Sequence, residues 1–162
     1  MALNLNCTAQ TGTLQLTQEE LEGLVHMYQE EKMAREVYLK MAELYNVPIF
    51  ENIAKSEERH KEAVASLLEK AGYDLSELEQ LGVGEFKDEE LQNLYNTLVT
   101  AGSQSLADGL AVGKLIEETD IGDLEKYISE TENSAIEQVY SHLENGSEHH
   151  LAAFEGWLDH LG

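Results

Sequence analysis

Apolar residues recur three and four positions apart over most of the chain, which is the spacing of one face of an α-helix. Alternating runs of β-branched residues, which are typical of half-buried strands, are almost missing, and proline occurs once. The pattern therefore predicts an all-α protein. With 162 residues and 42% hydrophobic content, the chain can bury one core, so we expect a single domain over 17–162 behind a flexible segment over 1–16.

Capping signals and helix breakers divide the pattern into four long helices, predicted over about 18–45, 48–71, 105–128 and 134–161. Thr17 followed by Glu20 is a capping box, which starts the first helix. Pro48 disfavours a helical residue before it and suits the first turn of the second helix. Ser134 opens a second Ser-x-x-Glu signal at the start of the fourth helix. Gly146 is a weak point within that helix and could divide it.

The segment between the second and third helices reads as a long connection. Residues 72–87 contain three glycines and no long apolar stripe, whereas 88–102 have the pattern of a shorter helix. Two helical hairpins joined by such a connection form a four-helix bundle with one long crossover. The short turn within each hairpin makes its two helices antiparallel.

The chain is strongly acidic, with a formal charge of −22 from 32 acidic and 10 basic residues. This charge repels nucleic acid and anionic membranes, so we expect neither as a partner. No stretch approaches the ~18 apolar residues of a membrane span, and the first sixteen residues do not resemble a signal peptide. The single Cys7 cannot form an intramolecular disulfide. We therefore expect a cytoplasmic protein, although a leader removed beforehand would leave no trace.

Each long helix has polar side chains on its apolar stripe. On the first helix one stripe includes Glu31 and a neighbouring stripe includes Glu30, so periodicity leaves both carboxylates open. The stripes of the other three helices include, in chain order, Glu57 and His60, Glu117, and His150. Core packing is the role expected for Tyr28 and Tyr38. Surface or helix-end positions are expected for His26, His142 and His160.

These polar positions are expected to meet at one level of the bundle. At about 1.5 Å per residue, they lie roughly 15–28 Å from the turn of their own hairpin. Carboxylates left unpaired in a dry core cost several kcal/mol or take up protons, so three Glu and two His need cations among them. This donor set suits non-haem iron or manganese better than a closed zinc site. The alternative is that Glu31 with Arg35, and Glu57 with Lys61, are ordinary surface ion pairs.

Several segments resemble known sequence patterns. EKMAREVY resembles the rubrerythrin pattern Glu-x-x-Ala-Arg-x-x-Tyr, which selects Glu31 over Glu30, and AKSEERH resembles Ala-x-x-Glu-x-x-His, which selects Glu57 and His60. IEETDIGDL and NGSEHHLAAF are similar to a narrower bacterial and archaeal family of ferritin-like domains of undefined function. The resemblance covers about residues 18–160. It implies a ferritin-like four-helix bundle with an extra crossover helix, in the superfamily of di-iron carboxylate proteins.

The resemblance also implies a ligand set. One or two ions, with iron expected first and manganese or zinc as alternatives, would bind Glu31, Glu57, His60, Glu117 and His150. The superfamily has a second Glu-x-x-His on the fourth helix, but this chain has Ser147 in place of the carboxylate. Water or one of three acidic residues could complete the set: Glu144, Glu148 or Asp120. Hydrogen bonds that orient the ligands are expected from Arg35 and Asp120.

Functions of two classes follow from this resemblance. The first is a di-iron oxidoreductase with peroxidase- or ferroxidase-like activity, in which ferrous ions give electrons to peroxide or dioxygen. The second is a protein that binds or stores metal without turnover, which the missing carboxylate favours because a lopsided site would bridge two irons less well. A bundle that keeps its polar core without metal is a third alternative. A homodimer is left open.

Overall fold

The computed structural model describes residues 13–162, which form six helices and no strand. The helices are α1 (Gln18–Tyr45), α2 (Pro48–Lys70), α3 (Ser76–Glu79), α4 (Glu89–Gly102), α5 (Leu106–Glu130) and α6 (Ser134–Leu161). The all-α prediction is confirmed, and the four long helices agree closely with the predicted ranges. Cys7 and most of the predicted flexible segment lie outside the described residues. Within that segment, the Leu14 amide donates to the Lys70 carbonyl at 3.0 Å.

Helix starts follow from local hydrogen bonds. The capping box at α1 is present in both directions, because the Glu20 amide donates to Thr17 Oγ1 at 3.1 Å and the Thr17 amide donates to Glu20 Oε1 at 2.9 Å. The predicted start of α6 is correct, but its cap is different. The Asn133 side chain accepts hydrogen bonds from the first amides of α6. The Ser134 signal therefore predicts the start of α6 correctly, although Ser134 is not the capping residue.

The four long helices pack with antiparallel neighbours. Contacts run between α1 and α2, α5 and α6, α1 and α5, and α2 and α6, while α4 packs across α1 and α5. Gly23 near the start of α1 lies beside Tyr127 near the end of α5, and Met41 near the end of α1 meets Gly109 near the start of α5. Within residues 13–162, no helix combines the length and the apolar character needed to cross a membrane.

The connection that contains α3 is fixed to α1 by a buried ion pair. Lys32 Nζ lies 3.0 Å from Glu36 Oε1 and donates to the carbonyls of Gly82 and Glu85 at 2.9 and 2.8 Å. The Gly84 amide donates to the same Glu36 oxygen at 2.7 Å. The loop therefore supplies the hydrogen bonds that a buried ammonium group needs. In return, the ion pair holds the long crossover against the bundle.

Apolar residues form two layers at different levels of the bundle. The first apolar layer, near the α1–α2 turn, includes Val37, Met41, Phe50, Leu110 and Phe154. The second apolar layer, near the α5–α6 turn, includes Leu24, Val64, Leu68, Leu124 and Leu143. On every long helix, buried polar residues that face the centre of the bundle lie between the members of these two layers. They are Glu31, Glu57, His60, Glu117, Asp120 and Ser147, and together with His150 we call them the polar layer.

Candidate metal centre

The polar layer gathers side chains from all four long helices. Its members are Glu31 from α1, Glu57 and His60 from α2, Glu117 and Asp120 from α5, and Ser147 and His150 from α6. All of them are buried except His150, whose side chain keeps 12% of its exposure. The structure thus brings together the five residues that the sequence predicts as ligands.

Glu57 lies between two histidines and faces a different one with each oxygen. His60 Nδ1 is 3.0 Å from Glu57 Oε2 and 3.2 Å from Glu31 Oε2. His150 Nδ1 is 3.0 Å from Glu57 Oε1 and 3.4 Å from Glu117 Oε1. Each group of three residues offers ligand atoms within 4.8 Å of one another. Two three-ligand groups therefore share one carboxylate.

Several buried polar atoms in the polar layer have no hydrogen-bond partner. Among residues 13–162 these atoms include Glu31 Oε1, Glu117 Oε2 and Asp120 Oδ1. Glu57 Oε1 and His150 Nδ1 are 3.0 Å apart, but their contact does not have the geometry of a hydrogen bond. An unsatisfied buried polar group costs about 1–3 kcal/mol, and more when the group is charged. Carboxylate oxygens and an imidazole nitrogen are ligands for iron and manganese. The unpaired atoms thus fit a bound cation of this class.

Three carboxyl groups of this layer, those of Glu31, Glu57 and Asp120, have raised pKa values. Burial raises the pKa of Glu31 well above its ordinary value, and the Glu57 carboxylate raises it further. Burial, followed by Glu117, raises the pKa of Glu57, and burial, followed by Glu31, raises the pKa of Asp120. Like charges close together in a dry site cannot all ionise without a cation. A divalent ion would take the place of these protons.

Asp120 brings a carboxylate to the position of Ser147. The Ser147 hydroxyl donates to Asp120 Oδ2, and both residues are buried. Burial, and then the nearby Glu31 carboxylate, raise the pKa of Asp120, so these two side chains also interact electrostatically. Of the three acidic residues considered for this position, Asp120 is the one in contact with Ser147. The other two candidates lie elsewhere, since Glu148 is exposed and Glu144 is only partly buried, and neither belongs to the two ligand groups.

The alternative prediction, that Glu31 and Glu57 form surface ion pairs with Arg35 and Lys61, is wrong. Arg35 Nε lies 2.8 Å from Glu58 Oε2, and Lys61 Nζ lies 3.2 Å from the same oxygen. Both cations therefore pair with Glu58, which leaves Glu31 and Glu57 to face the histidines. The sequence predicts that Arg35 orients a ligand by a hydrogen bond. In the structure Arg35 contacts Glu58, which is not one of the predicted ligands.

Tyr38 is a site residue that the periodicity alone assigned to core packing. Its ring packs on Phe154 at a centroid distance of 5.3 Å, as expected. Its hydroxyl also donates to Glu117 Oε1 at 2.7 Å. Burial, and then the Glu117 charge, raise the pKa of Tyr38 well above its ordinary value, so this proton stays in place. The only sequence signal for this role is the tyrosine that ends EKMAREVY.

Gly146 gives space to one of the histidines. The α6 helix continues through this glycine without a break, so the predicted weak point does not divide it. A Cβ atom at position 146 would lie 2.7 Å from both Cε1 and Nε2 of His60. The His60 ring thus rests its far edge on the α6 backbone and turns Nδ1 toward Glu31 and Glu57. A glycine that costs helix propensity has a packing reason here.

The neighbouring Glu30, which periodicity could not distinguish from Glu31, points to a different group. Its Oε2 lies 2.7 Å from His26 Nε2, and Asp123 of α5 lies 3.5 Å from the same nitrogen. His26 is therefore half-buried against two carboxylates rather than a simple surface residue. Consecutive glutamates on α1 serve two separate clusters.

Comparisons with known proteins place the chain in a family. A family model described as an uncharacterized protein domain, DUF2202, matches residues 20–162. The uncharacterized protein MJ0754 of Methanocaldococcus jannaschii is 43% identical over 148 residues, which are 91% of this chain and 79% of that protein. A crystal structure of hypothetical protein MJ0754 from Methanococcus jannaschii superposes with a TM-score of 0.86 at 41% identity, over 92% of this chain and 85% of that one. The chain belongs to the DUF2202 family of uncharacterized protein domains.

Proposed function

We propose that this protein is a ferritin-like carboxylate protein that binds two transition-metal ions, with iron expected first, in its polar layer. The proposal rests on Glu57, whose two oxygens face the two histidine groups separately. A carboxylate in that position can bridge two ions. Glu31 and His60 would complete one ion's protein ligands, and Glu117 and His150 those of the other.

The charge of the polar layer supports two divalent ions rather than one. The carboxylates of Glu31, Glu57, Glu117 and Asp120 are all buried, and they supply four negative charges when ionised. Two divalent ions with neutral histidines balance that charge. A single ion would leave two carboxylates that must keep protons or remain uncompensated in a dry site.

We propose an oxidoreductase of the peroxidase or ferroxidase type as the first function. Ferrous ions, when bound, would supply the electrons that reduce peroxide or dioxygen. The chain's own part is to hold the ligands and limit water. Tyr38 holds Glu117 by a hydrogen bond, and the apolar layers on both sides of the site exclude solvent.

Metal binding without turnover is the second candidate, and Ser147 favours it. The Ser147 hydroxyl occupies one oxygen of Asp120, so this carboxylate has less freedom than the glutamate of the superfamily pattern to move between ions. A site with one constrained carboxylate suits storage or structural binding. The two candidates share the same ligands and differ in whether electrons leave the site repeatedly.

A peroxide titration separates these candidates. The protein is freed of metal with a chelator, loaded anaerobically with Fe²⁺, and mixed with hydrogen peroxide while near-ultraviolet absorbance and peroxide concentration are recorded. The oxidoreductase proposal expects peroxide loss that repeats after each chemical re-reduction of the iron. Iron that binds and consumes no peroxide supports static binding instead.

A matched pair of variants tests whether the polar layer is responsible. Glu57→Gln removes the shared carboxylate at nearly constant size, and Glu51→Gln makes the same change on the same helix at a side chain that is 62% exposed. We expect Glu51→Gln to behave as wild type and Glu57→Gln to lose the iron of the polar layer and peroxide consumption. Equal iron content in the two variants would contradict the assignment.

A further inference from the structure

A second cluster of ligand-type side chains lies on the outer side of α1 and α5. His26, Glu30 and Asp123 offer one ligand atom each within 4.8 Å of one another. His26 Nε2 is the common point, 2.7 Å from Glu30 Oε2 and 3.5 Å from Asp123 Oδ2. None of these residues belongs to the polar layer. They form what we call the outer group.

Glu30 is the observation that points to a ligand. It is 3% exposed, and its Oε1 atom has no hydrogen-bond partner, although Oε2 meets His26. A protonated His26 is the competing explanation, because Asp123 and then Glu30 raise the pKa of this imidazole to about 10. That ion pair still leaves one buried Glu30 oxygen unsatisfied. A cation held between the three side chains could bind it.

The cluster also has space beside it for the remaining ligands of an ion. His26, Glu30 and Asp123 line one side of a cavity of about 320 Å³ between α1, α4 and α5. The rest of its lining is mostly apolar, so water that completes an ion's ligands would lie at the end formed by His26, Glu30 and Asp123. Asp88 Oδ2 lies 3.9 Å from His26 Nδ1, so a further carboxylate stands on the other side of the ring.

The outer group is joined to the polar layer by adjacent carboxylates. Glu30 precedes Glu31 in α1, and Asp123 follows Asp120 by about one turn of α5. Asp120 interacts with both glutamates. Side-chain exposure falls inward, from 35% at Asp123 to 4% at Glu30 and 1% at Glu31. A series of carboxylates thus extends from half-exposed Asp123 to buried Glu31.

We propose that His26, Glu30 and Asp123 form an outer divalent-cation site through which the polar layer is loaded. When an ion displaces the His26 proton, two carboxylates and one neutral imidazole give a charge of minus two, which one divalent ion balances. Binding at the outer site stands independently, whereas the loading role rests on the proposed metal binding in the polar layer. An ion held at the surface raises the local concentration beside Asp120 and Glu31.

Co²⁺ binding to chelator-treated protein tests the outer site, since bound Co²⁺ can be counted by equilibrium dialysis and followed by its visible absorbance. We expect three ions per wild-type chain, two for Asp123→Asn and one for Glu57→Gln. Glu125→Gln, an exposed change on α5, is the matched control and should bind three. Circular dichroism confirms that each variant is folded.

The rate of filling tests the loading role. In stopped-flow mixing with Co²⁺, we expect Asp123→Asn to fill the polar layer about tenfold more slowly than wild type or Glu125→Gln. Equal Co²⁺ content in wild type and Asp123→Asn would overturn the outer site. Equal filling rates would overturn its loading role. One ion per chain in both wild type and Glu57→Gln, lost in Asp123→Asn, would instead overturn the polar-layer proposal and leave the outer site standing.

Discussion

The polar layer and the two apolar layers lie in the same four helices and are buried to a similar degree, yet they affect stability in opposite ways. Leu68 and Leu124 are fully buried and stabilise the fold by leaving water. Glu31 and Glu57, each 1% exposed, lose hydration and recover only part of it from their neighbours. The apolar layers explain why the chain folds.

The difference shows what the polar layer contributes. Well-packed apolar residues at this level would give a more stable bundle, because buried charged groups rarely improve stability over apolar replacements. The fold instead keeps four carboxylates and two histidines between two dry layers, where electrostatic interactions with a cation are strong. The apolar layers thus make the polar layer a stronger cation site.

The largest expected effect is a loss of stability from the second apolar layer. Leu68→Ala removes a fully buried side chain, so we expect a loss of about 2–5 kcal/mol in the free energy of unfolding by urea. Leu39→Ala, at a side chain that is 37% exposed, should cost less than about 1 kcal/mol. Both variants should keep their metal content. Loss of metal from folded Leu68→Ala would mean that the layers are not separable.

Metal should stabilise the protein through the polar layer. At a free Mn²⁺ concentration one hundred times its Kd, we expect about 2.7 kcal/mol of added stability for each ion, measured by urea unfolding. Glu57→Gln should lose most of this gain. It should be more stable than wild type when both are free of metal, because the amide is neutral, whereas the buried carboxyl group must take up a proton that the unfolded chain has released. If metal-free Glu57→Gln is less stable to urea than metal-free wild type, this carboxylate has a structural role.

The metal-free protein should lose stability as the pH rises. The raised pKa values of Glu31, Glu57 and Asp120 mean that the folded state keeps protons that the unfolded chain has already released. The free energy of unfolding therefore falls above about pH 4, by up to ~1.4 kcal/mol per pH unit for each proton. Asp123 raises the pKa of His26 to about 10, which extends the same trend.

Comparison with Glu57→Gln isolates the contribution of the polar layer to this trend. The variant keeps His26 and lacks one titrating carboxyl group, so its stability should fall less steeply between pH 5 and pH 8. Urea unfolding of both proteins across this range measures the two slopes. Identical slopes would show that the polar layer does not determine the pH dependence.

Two glycine variants compare an exposed position of α5 with the polar layer, and the stability change expected at the exposed position is the smallest of the series. Gly122→Ala places a methyl group where nothing lies within 4 Å, so better helix propensity should add about 0.5–1 kcal/mol of stability without altering metal binding. Gly146→Ala should push His60 out of position and weaken metal binding by about 10- to 100-fold. Calorimetric titration with Co²⁺ measures the metal affinity of both variants, and urea unfolding measures their stability. Unchanged binding in Gly146→Ala would contradict the proposed fit of His60.

Sequence periodicity was sufficient for the long helices and for the level at which polar residues meet. Apolar stripes and the Thr17 cap are local features, and they predict α1 and its partners because a helix forms from neighbours in sequence. The same stripes leave Glu30 and Glu31 open, since each residue faces part of the interior. The resemblance of EKMAREVY selects Glu31. In the structure, Glu31 faces His60 of α2, whereas Glu30 meets His26, which also faces Asp123 of α5.

The contacts that sequence could not predict are those between helices. The roles of Tyr38 and His26 depend on partners on α5, namely Glu117 and Asp123, which are far away in sequence. Gly146 is a residue type that weakens helices, and in the structure it makes room for the His60 ring of α2. A side chain's partner across a bundle is set by helix rotation and depth, which periodicity does not fix.

Anomalous diffraction from crystals of the iron-loaded protein tests the central claim most directly, because it locates iron atoms without assuming their ligands. The account predicts two iron peaks in the polar layer, each within bonding distance of a different oxygen of Glu57, with His60 beside one and His150 beside the other. No iron peak in the polar layer, or one peak that leaves a Glu57 oxygen without metal, would contradict it.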